Sequence, residues 1–146
     1  VFMFGNLLYD PKVFNLFEEW NMHVAANDFC TGSRFVHPID IKAFDNIFYA
    51  LASSVMKKTG CARTMDINNP GAIASRVLEN CLKSNAKGVI GFTVKFCDPY
   101  LARMPMIREE LQKADIPFLM LEGDCTLNSI GQQQTRIEAF TEMLGE

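Results

Sequence analysis

The chain has 146 residues and a mass of 16.5 kDa, which is enough for one domain with a sizeable core. Hydrophobic residues make up 49% of it and charged residues 21%, a balance that excludes a disordered or fibrous protein. The formal net charge is -3 and the 14 basic residues are scattered, which argues against nucleic-acid binding.

The cysteine content and the hydropathy pattern bear on the cellular compartment. No apolar run approaches the roughly 20 residues that span a bilayer, and the first residues lack the features of a signal peptide. The five cysteines are an odd number without close CxxC pairing, which fits neither a disulfide framework nor a zinc ribbon. We therefore expect a cytoplasmic protein with reduced thiols, some of which are candidate metal ligands.

The first predicted element is a buried strand, because residues 1–4 are apolar and are followed by Gly5 and Asn6. It begins without an initiator Met or a preceding turn, so we expect a C-terminal fragment of a longer polypeptide. Asp10 and Pro11 then combine a capping side chain with a proline at the first helical position. The helix they predict has apolar residues at helical spacing, namely Val13, Leu16, Phe17 and Trp20.

The next predicted elements are a brief strand that leads into Cys30 and ends at the Gly32 turn, and a helix capped by Asp40. That helix has a broad apolar face, which we interpret as part of the core. The residues of this face are Ile41, Phe44, Ile47, Phe48, Leu51 and Val55.

The second half of the chain alternates helices and strands. Asn69 and Pro70 predict a helix that runs to about Asn85 and contains Cys81. A strand at 89–94 comes next, then a helix with Ile107 and Leu111, a strand at 118–121, and a last helix from about Ser129 to Leu144. This alternation predicts a single α/β domain over residues 1–146, with the three-layer, flavodoxin-like arrangement and a parallel sheet of about four strands.

Several cysteines, which are candidate metal ligands, lie where the predicted strands end. Ligands of parallel sheets bind outside the carboxyl ends of the strands, and Cys30, Cys97 and Cys125 all map there. Three thiolates could hold an iron–sulfur cluster, but without a motif the residues alone favour the alternative, in which cysteine is a small buried apolar side chain. We favour that ordinary role for Cys81 and Cys61, even though Lys57 and Lys58 could favour a thiolate at Cys61.

Three carboxylates are also predicted to lie at the carboxyl edge of the sheet. Asp98, Glu122 and Asp124 follow predicted strands, where a carboxylate can act as a base or as a hydrogen-bond acceptor behind a metal ligand. Helix capping or plain solvation is the alternative that we favour for them.

Three motifs carry a resemblance to a known family. They are Asn-Asp-Phe-Cys-Thr-Gly-Ser-Arg at 27–34, Val-Lys-Phe-Cys-Asp-Pro at 94–99 and Thr-Arg-Ile-Glu-Ala-Phe at 135–140. In this order, with Ile-Pro at 116–117 and Leu-Glu-Gly-Asp at 121–124 between the last two, the chain resembles the C-terminal third of 2-hydroxyacyl-CoA dehydratase subunits. Members of this family are larger than the chain, so the resemblance also implies a fragment.

The resemblance implies a cofactor and partners. A 4Fe–4S cluster is held by cysteines of both portions of such subunits, which makes Cys97 the first candidate ligand here and Cys30 the second. The cluster is then incomplete or absent in this fragment, which we expect to be inactive alone. The implied partners are a second dehydratase subunit or a second copy in a homodimer, an ATP-dependent activator protein and an acyl-CoA substrate.

The implied reaction is that of a lyase. The activator injects one electron, the cluster relays it to the thioester of a 2-hydroxyacyl-CoA, and the hydroxyl group leaves from a ketyl radical. Arg34 and Arg136 lie in motif positions, where they would contact phosphates or a neighbouring subunit, or form internal salt bridges. Two alternatives stay open: a benzoyl-CoA reductase-like or double-cubane cluster reductase of the same family, and a non-catalytic α/β interaction domain.

Overall fold

A computed structural model of the chain describes residues 1–8, 10–36, 38–56, 61–62, 66–124 and 133–145. Its sheet has four strands: β1 (Phe2–Gly5), β2 (Ala26–Asp28), β3 (Val89–Val94) and β4 (Phe118–Gly123). All the pairings are parallel, in the order β2-β1-β3-β4. The predicted parallel α/β fold is therefore confirmed for the described part of the chain.

The helices alternate with the strands as the sequence predicts. They are α1 (Lys12–Glu19), α2 (Ile47–Met56), α3 (Ala72–Lys83), α4 (Asp98–Leu101), α5 (Met104–Lys113) and α6 (Gln134–Met143), with short 3-10 helices at Ser33–Phe35 and Ile41–Ala43. The predicted cap at Asp10 is confirmed, since its carboxylate accepts a hydrogen bond of 2.9 Å from the Lys12 backbone N–H. The predicted start of the last helix at Ser129 lies outside the described residues.

Helices cover both faces of the sheet, which gives the three layers. Successive side chains of a strand point to opposite faces, and β1 shows this alternation. Phe2 and Phe4 pack with residues of α3 and α5, whereas Met3 packs with residues of α1 and α6. Cys81 is fully buried in the first of these cores, which confirms its predicted structural role.

The apolar face of α2 differs from the prediction. Asp40 does cap a helix, because its carboxylate accepts from the Lys42 backbone N–H at 3.1 Å, but this helix is only the 3-10 turn Ile41–Ala43. The prediction that the α2 face belongs to the core is wrong: Ala50 is the buried residue of α2, while Phe48 is 75% exposed. The physical reason is position, since the segment leaves the sheet after the edge strand β2 and no described layer covers it.

The described helices are short compared with the thickness of a bilayer. None of them, over the described ranges, is long and apolar enough to cross a membrane. The longest, α3, has 12 residues, whereas a membrane-spanning helix needs about 20.

Candidate functional site

Cys30 and Cys97 both lie at the carboxyl edge of the sheet, as predicted. Cys30 follows β2, and Cys97 precedes α4, where its carbonyl accepts hydrogen bonds of 3.0 Å from the Tyr100 and Leu101 backbone N–H groups. Both thiols are half-buried. Because β1 separates β2 from β3, the two chain segments leave the sheet about 10 Å apart.

Asn6 connects the two segments that carry these cysteines. Its backbone carbonyl accepts from the Cys30 N–H at 2.8 Å, and its side-chain oxygen accepts from the Val94 N–H at 3.0 Å. Asn6 follows β1 directly, so a single residue at the centre of the edge holds the ends of both neighbouring strands.

The turn that presents Cys97 is tight. Phe96 has a positive φ of 62°, which is the left-handed region, and its side chain is 88% exposed. A non-glycine residue in this region is uncommon, and such residues concentrate at functional sites. The turn is fixed on both sides, because Lys95 N–H donates to Gly123 O at 2.8 Å and Cys97 N–H donates to Val94 O at 3.2 Å.

Arg34 lies at the centre of a buried hydrogen-bond network. Its guanidinium donates from Nε to Asp28 Oδ1 at 2.8 Å and from Nη1 to the Tyr100 hydroxyl at 2.6 Å, and it also donates to the Asp28 carbonyl. The Tyr100 hydroxyl in turn donates to Gly5 O at 2.9 Å. Of the two alternatives that the sequence left open for Arg34, the structure shows the internal salt bridge.

Two groups of this network, Arg34 and Tyr100, have shifted pKa values. Burial alone would lower the pKa of Arg34, but the hydrogen bond to Asp28 and the nearby Tyr100 raise it above its ordinary value. Burial raises the pKa of Tyr100 to about 12, against the opposing effect of Arg34. Near neutral pH the guanidinium is therefore charged and the phenol keeps its proton. Arg76 adds a second cation, with its Nη2 3.5 Å from Asp28 Oδ2.

The structure brings Cys61 next to Cys30. Burial raises the pKa of the Cys30 thiol; Arg34, whose Nη1 lies 3.5 Å from the sulfur, opposes this, and the Cys61 thiol adds to it as a hydrogen-bonding neighbour. The sequence favoured an ordinary role for Cys61, and no spacing signal links the two cysteines. Lys57 and Lys58, which suggested a thiolate there, lie outside the described residues, as does Cys125.

This pKa shift predicts the reactivity of Cys30. We expect its alkylation by iodoacetamide to rise with pH around a midpoint above that of the same cysteine in the urea-unfolded protein, because burial disfavours the thiolate. Arg34→Met should raise the midpoint further and Cys61→Ser should lower it. The midpoints can be measured by mass spectrometry of labelled peptides. Equal midpoints in the folded and unfolded protein would contradict the burial of the thiol.

The described residues do not supply a complete set of metal ligands by themselves. Among them, no group of three or more His, Cys, Asp and Glu side chains is placed to hold a metal ion. Asp98 is exposed at the start of α4, and Glu122 is half-buried in β4. The exposed Arg136 donates to Met120 O at 2.8 Å and to Gln133 Oε1 at 3.0 Å, so it ties α6 to β4 within the chain.

Comparisons with known proteins find similarity over almost the whole chain. A model of the family "2-hydroxyglutaryl-CoA dehydratase, D-component" matches residues 1–144. The chain is 24% identical to lactoyl-CoA dehydratase subunit beta of Anaerotignum propionicum over 96% of its length and 37% of that protein. It is 29% identical to (R)-2-hydroxyglutaryl-CoA dehydratase, subunit beta, of Acidaminococcus fermentans over 92% of its length and 36% of that protein.

A further relative matches a shorter stretch. The (R)-phenyllactyl-CoA dehydratase beta subunit of Clostridium sporogenes is 34% identical over 68 residues, which is 47% of the chain and 18% of that protein. The chain spans little more than a third of the length of the relatives that it matches most fully. The match over residues 1–144 shows that the chain belongs to the 2-hydroxyglutaryl-CoA dehydratase D-component family.

Proposed function

We propose that the chain is part of a dehydratase subunit that eliminates water from a 2-hydroxyacyl-CoA thioester. The observation that carries this proposal is the family match over residues 1–144. The structure supports it, because the segments that hold Cys30 and Cys97 reach the same edge of the sheet, where ligands of parallel α/β proteins bind. Two of the relatives are named as dehydratases of lactoyl-CoA and of (R)-2-hydroxyglutaryl-CoA.

We further propose a 4Fe–4S cluster with Cys97 as the first ligand and Cys30 as the second. Their thiols are the donors that such clusters use, and both are half-buried and free of disulfides. Since the described residues do not complete a ligand set, the remaining ligands would come from outside them. When bound, the cluster supplies one-electron transfer to the thioester and an iron position that polarises an oxygen.

The chain's own residues set the environment of that edge. Arg34 provides a fixed positive charge beside Cys30, and the neutral Tyr100 hydroxyl joins Arg34 to the end of β1. A buried cation next to a sulfur ligand stabilises the thiolate form that metal binding requires. Arg34 is thus a positioning residue that holds Cys30 and keeps its surroundings electropositive.

The whole enzyme would need further components. We propose a second dehydratase subunit, in keeping with relatives that are named beta subunits, and an ATP-dependent activator that delivers the electron. The proposed substrate is an acyl-CoA, and the proposed location is the cytoplasm. A homodimer in place of the second subunit would leave the chemistry of the site unchanged.

One observation favours a second candidate within the family. Cys61 lies beside Cys30, so the edge offers one thiol more than the cluster proposal uses. Additional thiolates at one edge would suit a double-cubane cluster reductase. The two candidates differ in iron content, since a double-cubane protein should bind about twice as much iron per subunit as a single-cubane protein.

The test uses the full-length protein that contains this chain, purified without oxygen. We expect iron and acid-labile sulfide in the amounts of a single cubane, and loss of most of the iron in Cys97→Ser. Cys81→Ala is the matched control, because Cys81 is buried in α3 away from the edge. Unchanged iron in Cys97→Ser would remove the ligand assignment, and a protein without iron or dehydratase activity would contradict the proposed function.

A further inference from the structure

The loop that carries Cys30 is closed by bonds between its two ends. It begins at the end of β2. The side-chain oxygen of Asn27 accepts a hydrogen bond of 3.2 Å from the Ser33 N–H, and the Ser33 hydroxyl donates to the Asn27 carbonyl. The buried ion pair of Asp28 and Arg34 joins the next residue at each end. Polar side chains at both ends of the loop therefore hold its shape.

Thr31, the residue after Cys30, joins this loop to the segment that follows β1. Its hydroxyl donates to the Leu8 carbonyl at 2.7 Å and accepts from the Leu8 N–H at 3.2 Å. One side-chain hydroxyl thus binds both backbone polar groups of Leu8. Leu8 is 6% exposed, and a buried backbone group without a partner is costly. Both bonds therefore contribute to holding the two segments together.

The backbone of Cys30 is held on both sides. Phe29, which precedes it, is 1% exposed and lies in the same hydrophobic core as Leu8. Thr31, which follows it, is attached to that core through the backbone of Leu8. The Cys30 N–H itself donates to Asn6 O at 2.8 Å. These contacts fix the direction in which the Cys30 side chain leaves the backbone.

The exposure of Thr31 separates the effect of its hydrogen bonds from that of packing. Thr31 is an exposed residue, so its side chain fills no space in the core. Valine has nearly the shape of threonine but no hydroxyl. Thr31→Val therefore removes both bonds to Leu8 without opening a cavity, and any effect of it on Cys30 comes from the lost bonds.

We propose that Thr31 is a positioning residue, whose bonds to Leu8 hold the loop in the form that presents the Cys30 thiol to a metal, whether or not the metal is bound. This inference rests on the proposed cluster for the role of the thiol, and it adds the residue that orients this ligand. A site whose ligands are already in place loses no free energy to ordering them when it binds. The cluster can then be removed and rebuilt without refolding of this loop.

The first test uses the iron-free form of the full-length protein that contains this chain. We expect Thr31→Val to speed hydrogen exchange of the Leu8 amide and alkylation of Cys30 by iodoacetamide at one fixed pH. Each rate should rise by about fivefold or more, the effect of one net hydrogen bond. Thr31→Ser keeps the hydroxyl and should behave as the wild type. Thr135→Val is the matched control, because Thr135 is exposed on α6, which follows β4, the strand farthest from β2 in the described sheet.

The second test uses the iron-loaded protein. Thr31→Val should lose iron to a chelator about fivefold faster than the wild type, by the same hydrogen-bond effect, and should shift the EPR g-values of the reduced cluster. Thr31→Ser should do neither.

Four results would overturn the proposal. They are a Leu8 amide that exchanges in the iron-free wild type as fast as in the urea-unfolded protein, a Thr31→Val variant with unchanged exchange and alkylation, a Thr31→Ser variant that behaves like Thr31→Val, and faster alkylation with unchanged iron retention. A wild-type protein that binds no iron would contradict the proposed function instead. The measurements on the iron-free protein would then still decide whether Thr31 holds Cys30 in place.

Discussion

Gly5→Ala is expected to lower the free energy of unfolding by about 4 kcal/mol or more, the magnitude of a severe packing defect. A β-carbon at Gly5 would lie 1.9 Å from the carbonyl oxygen of Phe92 and 2.9 Å from the ring of Phe29. Gly5 pairs with Phe92 in the sheet, so the clash is with the backbone of the neighbouring strand. The close-packed core cannot absorb it without separating β1 from β3.

The control for this prediction is Gly71→Ala. A β-carbon at Gly71 would meet no atom within 4 Å, and its φ of -81° and ψ of -10° suit any residue. Alanine there should be neutral or stabilise by about 0.4 to 1 kcal/mol, because it restricts the unfolded chain. Urea unfolding followed by circular dichroism measures both variants. Similar midpoints for the two would show that β1 can shift, and would contradict the tight packing at the site edge.

Arg34→Met is expected to lower the free energy of unfolding by about 3 to 5 kcal/mol, the cost of breaking a buried ion pair by removing one partner. The methionine leaves the Asp28 carboxylate, which is 6% exposed, with the 3.5 Å contact to Arg76 as its remaining ion pair in the described part of the chain. It also removes the donor that the Tyr100 hydroxyl oxygen accepts from at 2.6 Å. The uncompensated buried charge dominates the loss, because a buried carboxylate without a partner is strongly disfavoured.

A second substitution tests whether the unpaired charge of Asp28 causes this loss of stability. Asp28→Asn in the Arg34→Met background removes the unpaired charge and should recover a large part of the stability. Lys83→Met is the control, because the Lys83–Glu79 pair lies on an exposed helix surface and such pairs contribute little. If Arg34→Met unfolded at the same urea concentration as Lys83→Met, the network would not be a stabilising element of the fold.

The fold followed from the sequence because local and global signals agree. The apolar runs of β3 and β4 are short enough for buried parallel strands, and the cap at Asp10 starts α1 where the helical spacing begins. The sequence predicts that the apolar face of α2 belongs to the core, because periodicity shows which side of a helix is apolar. It does not show whether another layer covers that side. Burial depends on the neighbours of a helix, which its own residues do not encode.

The candidate site was predictable only in part. The positions of Cys30 and Cys97 at the sheet edge follow from topology, because the carboxyl ends of parallel strands share one side. The contact of Cys30 with Cys61 was not predictable, since Cys61 lies in an irregular connection whose path depends on tertiary packing. The internal role of Arg34 was one of two open alternatives, because charge alone does not reveal whether a guanidinium faces inward.

The two bonds of Asn6 have a mechanical consequence. Asn6 accepts hydrogen bonds from both the Cys30 and the Val94 amides. The segment after β2 and the end of β3 are therefore both anchored to the residue that follows β1. A displacement of Asn6 would therefore disturb the segment of Cys30 and the strand end before Cys97 at once. The end of β1 is a shared anchor for the two segments that carry the candidate ligands.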